Sequence, residues 1–159
     1  MKVVDIMVRT AVSCPGEANL GQAVELMWNR NCGILPIVSE GGKVTGVVTD
    51  RDICVALGTR NRLPGQVSVR EVAGPELHFC RPEDEVHSAL EKMAATKVRR
   101  LPVINNAGKL EGILSMDDIV LHADLGSPAR DPSAAAILNT LRTIYSSRIP
   151  QRARRLAVA

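Results

Sequence analysis

Two stretches of the chain carry the same rhythm of apolar and polar positions. Leu20, Ala23, Val24, Met27 and Trp28 fall at i, i+3, i+4, i+7 and i+8, and Val86, Ala89, Leu90, Met93 and Ala94 repeat that spacing. Each set is the stripe of an amphipathic helix that turns one face to a core. Asn19 and Asp84 stand beside the expected N-caps. Ahead of the helices, Ala11–Cys14 and Leu77–Cys80 read as short strands. Behind them, Ile34–Val38 and Arg100–Ile104 read as strands, with turns at Glu40-Gly41-Gly42 and Asn105-Asn106-Ala107-Gly108. Val44–Thr49 and Leu110–Ser115 return as second hairpin strands. A last helix opens near Asp50 and near Met116, and Gly58 is expected to end the first of these. The unit is β-α-β-β-α. Pro36 and Pro102 fall inside strands, which places them on an edge or an irregular stretch where no ladder donor is needed.

A shift of 66 positions lays the sequence on itself without a gap. Leu35-Pro36-Ile37-Val38 falls on Leu101-Pro102-Val103-Ile104, Gly42-Lys43 on Gly108-Lys109, and Asp52-Ile53 on Asp118-Ile119. Cys14, Glu17, Ala23, Glu25 and Met27 fall on Cys80, Glu83, Ala89, Glu91 and Met93. A period this long marks two copies of one supersecondary unit. Each copy is small for a core of its own, so the two are expected to pack face to face about a pseudo-twofold axis. The fold class is α+β.

The chemistry concentrates where a strand turns into a helix. These corners are Gly46-Val47-Val48-Thr49-Asp50-Arg51-Asp52 and Gly112-Ile113-Leu114-Ser115-Met116-Asp117-Asp118. A hydroxyl residue followed three positions later by Asp is the pattern of a helix capping box, and capping alone accounts for it. The same geometry suits a nucleotide. A helix N-terminus offers free amides and partial positive charge to a phosphate, the hydroxyl adds a donor, and the carboxylate can accept from a ribose diol.

The doubled corner, the Leu-Pro strand, the Gly-Lys turn and the Met-bearing helix resemble the cystathionine β-synthase (CBS) domain. The tandem resembles a CBS pair, or Bateman module, over Val3 to Ala123, with repeats at 3–57 and 69–123 joined by a linker at 58–68. The resemblance implies a regulatory module that binds an adenosine-containing ligand such as AMP, ATP or NAD between the repeats, and a homodimer. It implies that Thr49 and Ser115 face phosphate or ribose, and that Asp52 and Asp118 hold the ribose hydroxyls. Val12, Ser13, His78 and Phe79 would border the base, with Ile37 and Val103 as walls. Arg51, Arg99 and Arg100 would neutralise phosphate; for each of them a solvated surface position is the competing reading. The copies differ here: Gly33-Ile34 replaces the arginine pair in the first, and Asp117 replaces Arg51 in the second. A carboxylate near phosphate is unfavourable, so the corner with Thr49, Arg51 and Asp52 is favoured.

Beyond Ala123, residues 124–133 read as a linker with Gly126, Pro128 and Pro132. Ile137, Leu138, Leu141, Ile144 and Tyr145 then form a helical stripe that docks on the body or on a partner chain, stopped by Pro150. From Gly126 onward six arginines face one aspartate, so the tail carries +5 and residues 1–125 carry −2. A basic tail can meet nucleic acid, acidic lipid or an acidic protein face. Aromatic residues are only 2%, which weakens any base-stacking platform, so nucleic-acid binding is disfavoured. No apolar run approaches the roughly 18–20 residues of a bilayer span. Nothing at the N-terminus argues for export, and a cytoplasmic location is expected. The widely spaced Cys14, Cys32, Cys54 and Cys80 read as small core hydrophobes rather than metal ligands. His78, His87 and His122 make no metal spacing, and no nucleophile set stands out, so an enzyme is the least favoured reading. The alternative to ligand sensing is a ligand-free interaction scaffold.

Overall fold

A computed structural model describes residues 1–74, 76–123 and 132–146. In chain order the elements are α1 (Val3–Ile6), β1 (Cys14–Pro15), α2 (Leu20–Asn29), β2 (Ile34–Val38), β3 (Val44–Thr49) and α3 (Asp50–Arg60). Two 3₁₀ turns follow, Pro64–Gln66 and Val69–Glu71, and then α4 (Val86–Thr96), β4 (Arg100–Ile104), β5 (Leu110–Ser115), α5 (Met116–Leu121) and α6 (Ala134–Ser146). The chain packs as two compact units. One holds Met1–Val8, Cys80–Val103 and the described residues from Ile113 on; the other holds Arg9–Phe79 and Ile104–Gly112.

Both hairpins stand where the sequence pattern puts them, and so do the starts of α2, α3, α4 and α5. The turn glycines Gly42 and Gly108 take φ of 74° and 80°, a conformation that L side chains resist, which is why the hairpins close on glycine. The leading strands do not match the expectation. Only Cys14 and Pro15 pair with β2, in parallel, as Cys14 opposite Ile37 and Pro15 opposite Val38. Leu77–Phe79 form no strand, and Cys80 makes an isolated bridge to Val103. Gly58 does not end α3, which runs on to Arg60 and stops where Asn61 adopts φ 49°. Pro36 lies on the middle strand of the order β1-β2-β3, opposite Val47. β1 reaches only Ile37 and Val38, so no strand asks Pro36 for a donor. On β4, Pro102 turns its carbonyl outward to accept from the Cys80 amide at 3.1 Å.

Each unit has its own core. In one, Val86, Ala89, Leu90 and Met93 of α4 pack with Leu101, Leu114 and Ile119, and with Ile137 and Ile144 of α6. In the other, Leu20, Ala23 and Met27 of α2 pack with Leu35, Val48 and Ile53. The stripe on α2 is narrower than its periodicity suggests: Val24 is 44% exposed and Trp28 84%. Only two of the four thiols are core residues. Cys14 and Cys80 are buried, Cys32 is half-buried and Cys54 exposed, and all four are free.

The leading segments are exchanged between the repeats. Val3, Ile6 and Met7 precede the first repeat's helix but belong to the core built on α4. Val67 and Val69 precede the second repeat's helix but belong to the core built on α2. The hydrogen bonds obey the sequence offset. Val3 N donates to Asp84 O at 2.9 Å and Val69 N to Ala18 O at 2.8 Å; Val4 N donates to Pro82 O at 2.9 Å and Arg70 N to Gly16 O at 3.0 Å. Val86 N donates to Met1 O at 2.9 Å, and Leu20 N to Val67 O at 3.0 Å. Each segment satisfies the orphan backbone groups at the mouth of a helix that belongs to the other repeat.

Candidate functional site

Thr49 ends β3 in extended conformation (φ −113°, ψ 160°) and caps α3. Its hydroxyl donates to Asp52 Oδ2 at 2.6 Å and accepts from Asp52 N at 3.2 Å, while Thr49 N donates to the same carboxylate oxygen at 2.9 Å. Ser115 and Asp118 reproduce this at the mouth of α5: Ser115 Oγ donates to Asp118 Oδ2 at 2.6 Å, Ser115 N donates at 2.7 Å, and Asp118 N donates to Ser115 Oγ at 3.2 Å. Both corners are therefore complete capping boxes.

This changes the chemistry the corners can perform. The Thr49 proton is given to Asp52, so the hydroxyl is not the spare phosphate donor that the sequence suggested. The first amides of α3 are also engaged. Asp50 N donates to Gly33 O at 3.3 Å, Arg51 N to Asp50 Oδ1 at 2.7 Å, and Asp52 N to Thr49 Oγ1. Gly33 permits the arrangement: a Cβ there would sit 2.8 Å from Asp50 Oδ2. The expectation of free amides for phosphate is corrected accordingly. What stays open is acceptor capacity. Asp52 Oδ1 and Asp118 Oδ1 have no hydrogen-bond partner among the described residues, and Thr49 keeps one lone pair. Two adjacent acceptors suit the paired hydroxyls of a diol.

The cations flanking the corners are also open. Arg51 is exposed, Arg99 and Arg100 are half-buried, and none of these guanidiniums has an ion pair or side-chain hydrogen bond among the described residues. Arg99 is held beside the second corner by its backbone, whose carbonyl accepts from Met116 N at 2.9 Å. Asp117 is exposed on the first turn of α5. His78 Nε2 lies 3.5 Å from Glu76 Oε2, and Phe79 is half-buried.

The remaining predicted residues are dispersed. Val12 packs at the edge of the core around α2. Ser13 borders an open groove of about 430 Å³ with Cys14, Pro15, Glu17, Ala18, Gln22 and Leu26. Ile37 borders a cavity of about 240 Å³ beside Gly16, Thr45, Arg70 and Ala73. Thr49 and Asp52 border neither. Val103 is fully buried in the core around α4. Sequence reading missed the 240 Å³ cavity. Its origin is a β-bulge: Ile37 pairs with Gly46 but Val38 with Val44, which leaves Thr45 as the extra residue. Arg70 on its rim is ion-paired to Glu17.

The sequence model of the CBS domain family matches residues 3–59 and again 69–124. The chain belongs to the CBS domain family. Among relatives of this CBS-pair protein, the Bacillus subtilis CBS domain-containing protein YhcV is 32% identical over 120 residues, 76% of this chain and 84% of YhcV. An inosine-5'-monophosphate dehydrogenase of Methanocaldococcus jannaschii is 28% identical over 131 residues, 82% of this chain. The match spans only 25% of that enzyme's length. The crystal structure of CBSX2 in complex with AMP superposes with a TM-score of 0.64 at 26% identity, covering 76% of this chain and 93% of CBSX2. No helix of the described residues is long and apolar enough to cross a membrane.

Proposed function

We propose that this CBS pair is a regulatory rather than a catalytic module, which binds an adenosine-containing nucleotide of the AMP, ATP or NAD type. The observation that carries the reading is the carboxylate oxygen of Asp52 left without a partner among the described residues, set beside Thr49 and one residue from Arg51, which has no ion pair among them either. Asp52 and Thr49 accept from the ribose hydroxyls, and Arg51 takes the phosphate in place of the engaged helix amides. Ser115, Asp118, Arg99 and Arg100 form the second corner, which Asp117 disfavours for a highly charged phosphate chain. CBSX2, a relative at 26% identity, has been crystallised with AMP, which supports the ligand class. Binding shifts a conformational equilibrium by the difference in affinity between its states, and a partner protein reads that shift.

Calorimetry with AMP, ATP and NAD, run on the wild type and on Asp52→Ala, tests this. Heat with at least one ligand, lost in the variant, is expected. No heat and no change in melting temperature with any of the three at millimolar concentration overturns it. The fully formed capping boxes favour a second reading, a ligand-free scaffold. That reading predicts partner binding indifferent to Asp52→Ala.

A further inference from the structure

The repeat brings one lysine onto its own counterpart. Lys43 and Lys109 hold the same position in the two hairpins, 66 residues apart, and they meet as an isolated antiparallel bridge. Val44 N donates to Gly108 O at 2.9 Å. A bond from the residue after one lysine to the residue before the other makes the lysines a non-hydrogen-bonded pair, the class with Cα atoms about 4.5 Å apart and both side chains on one face. The stem of Lys43 lies over Gly108: a Cβ on that glycine would stand 3.5 Å from Lys43 Cγ and 3.6 Å from its Cδ. Both lysines are exposed, and neither ammonium has an ion pair or side-chain hydrogen bond among the described residues. We propose that this lysine pair is a binding site for a small, doubly charged oxyanion of the inorganic phosphate class.

Like charges directly opposite one another across a ladder are destabilising. The nearby acids do not relieve this pair. Glu111 accepts from Asn105 Nδ2 at 3.1 Å, and Glu40 is exposed with no ion pair among the described residues. The backbone does not let the lysines part either. Lys43 N donates to Ser39 Oγ at 3.3 Å and Lys109 N to Asn105 Oδ1 at 3.0 Å, so each turn is tied to its own strand end. Two cations anchored in this way match a dianion in charge, whereas a chloride or a carboxylate neutralises only one of them. The turns are already ordered, so binding has only two lysine side chains to immobilise. The pair is also remote from the Thr49 corner. Lys43 precedes β3, and β3 spans about 17 Å from Val44 to Thr49. The inference therefore does not rest on the nucleotide reading.

Thermal unfolding in about 20 mM phosphate, against chloride and acetate at equal pH and ionic strength, tests it on the whole chain. Phosphate is expected to raise the midpoint by about 2 °C or more over both other salts. Lys43→Gln and Lys109→Gln are each expected to abolish that rise. In low-salt chloride each is expected to raise the midpoint by about 1–3 °C, because the repulsion is gone. That gain shows at the same time that the variants fold. Arg51→Gln is expected to keep the phosphate response, which separates this site from the nucleotide corner. Equal midpoints in the three salts overturn the proposal. So does a phosphate response that survives in both lysine variants, or one that Arg51→Gln removes.

Discussion

The amide of Val69 donates to the carbonyl of Ala18 at 2.8 Å, and both residues are held around the same core. Val69 opens the second repeat and Ala18 lies in the first, yet the bond has its twin 66 positions earlier, from Val3 to Asp84 at 2.9 Å. Val3 and Val69 are both fully buried, so each repeat is completed by a residue from the other. Val3→Ala and Val69→Ala are each expected to cost about 2–3 kcal/mol, lost apolar burial plus a cavity. Urea unfolding reads this, and a cost below about 0.5 kcal/mol at either position counts against tight seating.

Caps and ligand binding are separable at the first corner. Thr49→Ala removes the hydroxyl that accepts from Asp52 N and is expected to cost about 1 kcal/mol. Ser115→Ala is expected to cost about the same at the second corner. Nucleotide heat, by contrast, is expected to vanish only with changes at the first corner. Equal loss of heat in both variants would show that the corners share the ligand evenly.

The helix ends offer an asymmetric test. Asn31 and Lys97, 66 positions apart, both have left-handed backbone, at φ 48° and 59°. Asparagine tolerates that conformation better than lysine. Lys97→Gly is therefore expected to stabilise the protein by about 1 kcal/mol, and Asn31→Lys to destabilise it. Thermal and urea unfolding of the two variants give the signs directly.

Glu71 supplies the acid dependence. The Ser68 amide donates to its carboxylate at 2.9 Å and the Arg62 guanidinium at 2.8 Å, which holds it at about 2, below the usual 4.5. A depressed carboxylate stabilises the fold above its unfolded value and loses that contribution as pH falls toward the folded one. The stability difference between wild type and Glu71→Gln is expected to be constant above about pH 5.5 and to shrink between pH 4.5 and 2. Urea midpoints at a series of pH values check this; a difference that persists at pH 2 would refute it.

The thiols should separate by reactivity. Burial pushes the Cys14 thiol up to about 11 and the Cys80 thiol up to about 12, the latter helped by the charge of Asp84. Thiolate is the reactive form. Alkylation at neutral pH followed by mass spectrometry is expected to mark Cys54 first and Cys32 next, with Cys14 and Cys80 modified only after unfolding. Early modification of Cys14 would contradict the burial.

What was legible in the sequence was the part fixed by local pattern. β2, β3, β4 and β5, and the corners at Thr49 and Ser115, follow from alternation, turn glycines and capping chemistry. Pairing was not legible. Nothing in Ala11–Cys14 says that only its last residue reaches a neighbouring strand, because that depends on where Ile37 lies in space. The width of the α2 stripe was not legible either: Val24 and Leu90 have the same periodicity, and only Leu90 packs in a core with residues of α6. The engaged amides of α3 depend on Asp50 turning over Gly33, a contact between residues 17 positions apart. The exchange of leading segments is invisible for a simpler reason. A self-match at one offset is identical whether each segment serves its own repeat or the other. The expectations at 124–131, Pro150 and the arginine tail lie outside the described residues.

That exchange also bears on ancestry and on dissection. A lone β-α-β-β-α piece keeps its plug but has an empty socket, so a gene encoding a single piece would have needed a twin molecule before it could become watertight. Fusion of two such genes would turn that marriage into a permanent one. Cutting the fused chain in the loop near Arg62 should yield fragments that are soft apart and firm again when mixed.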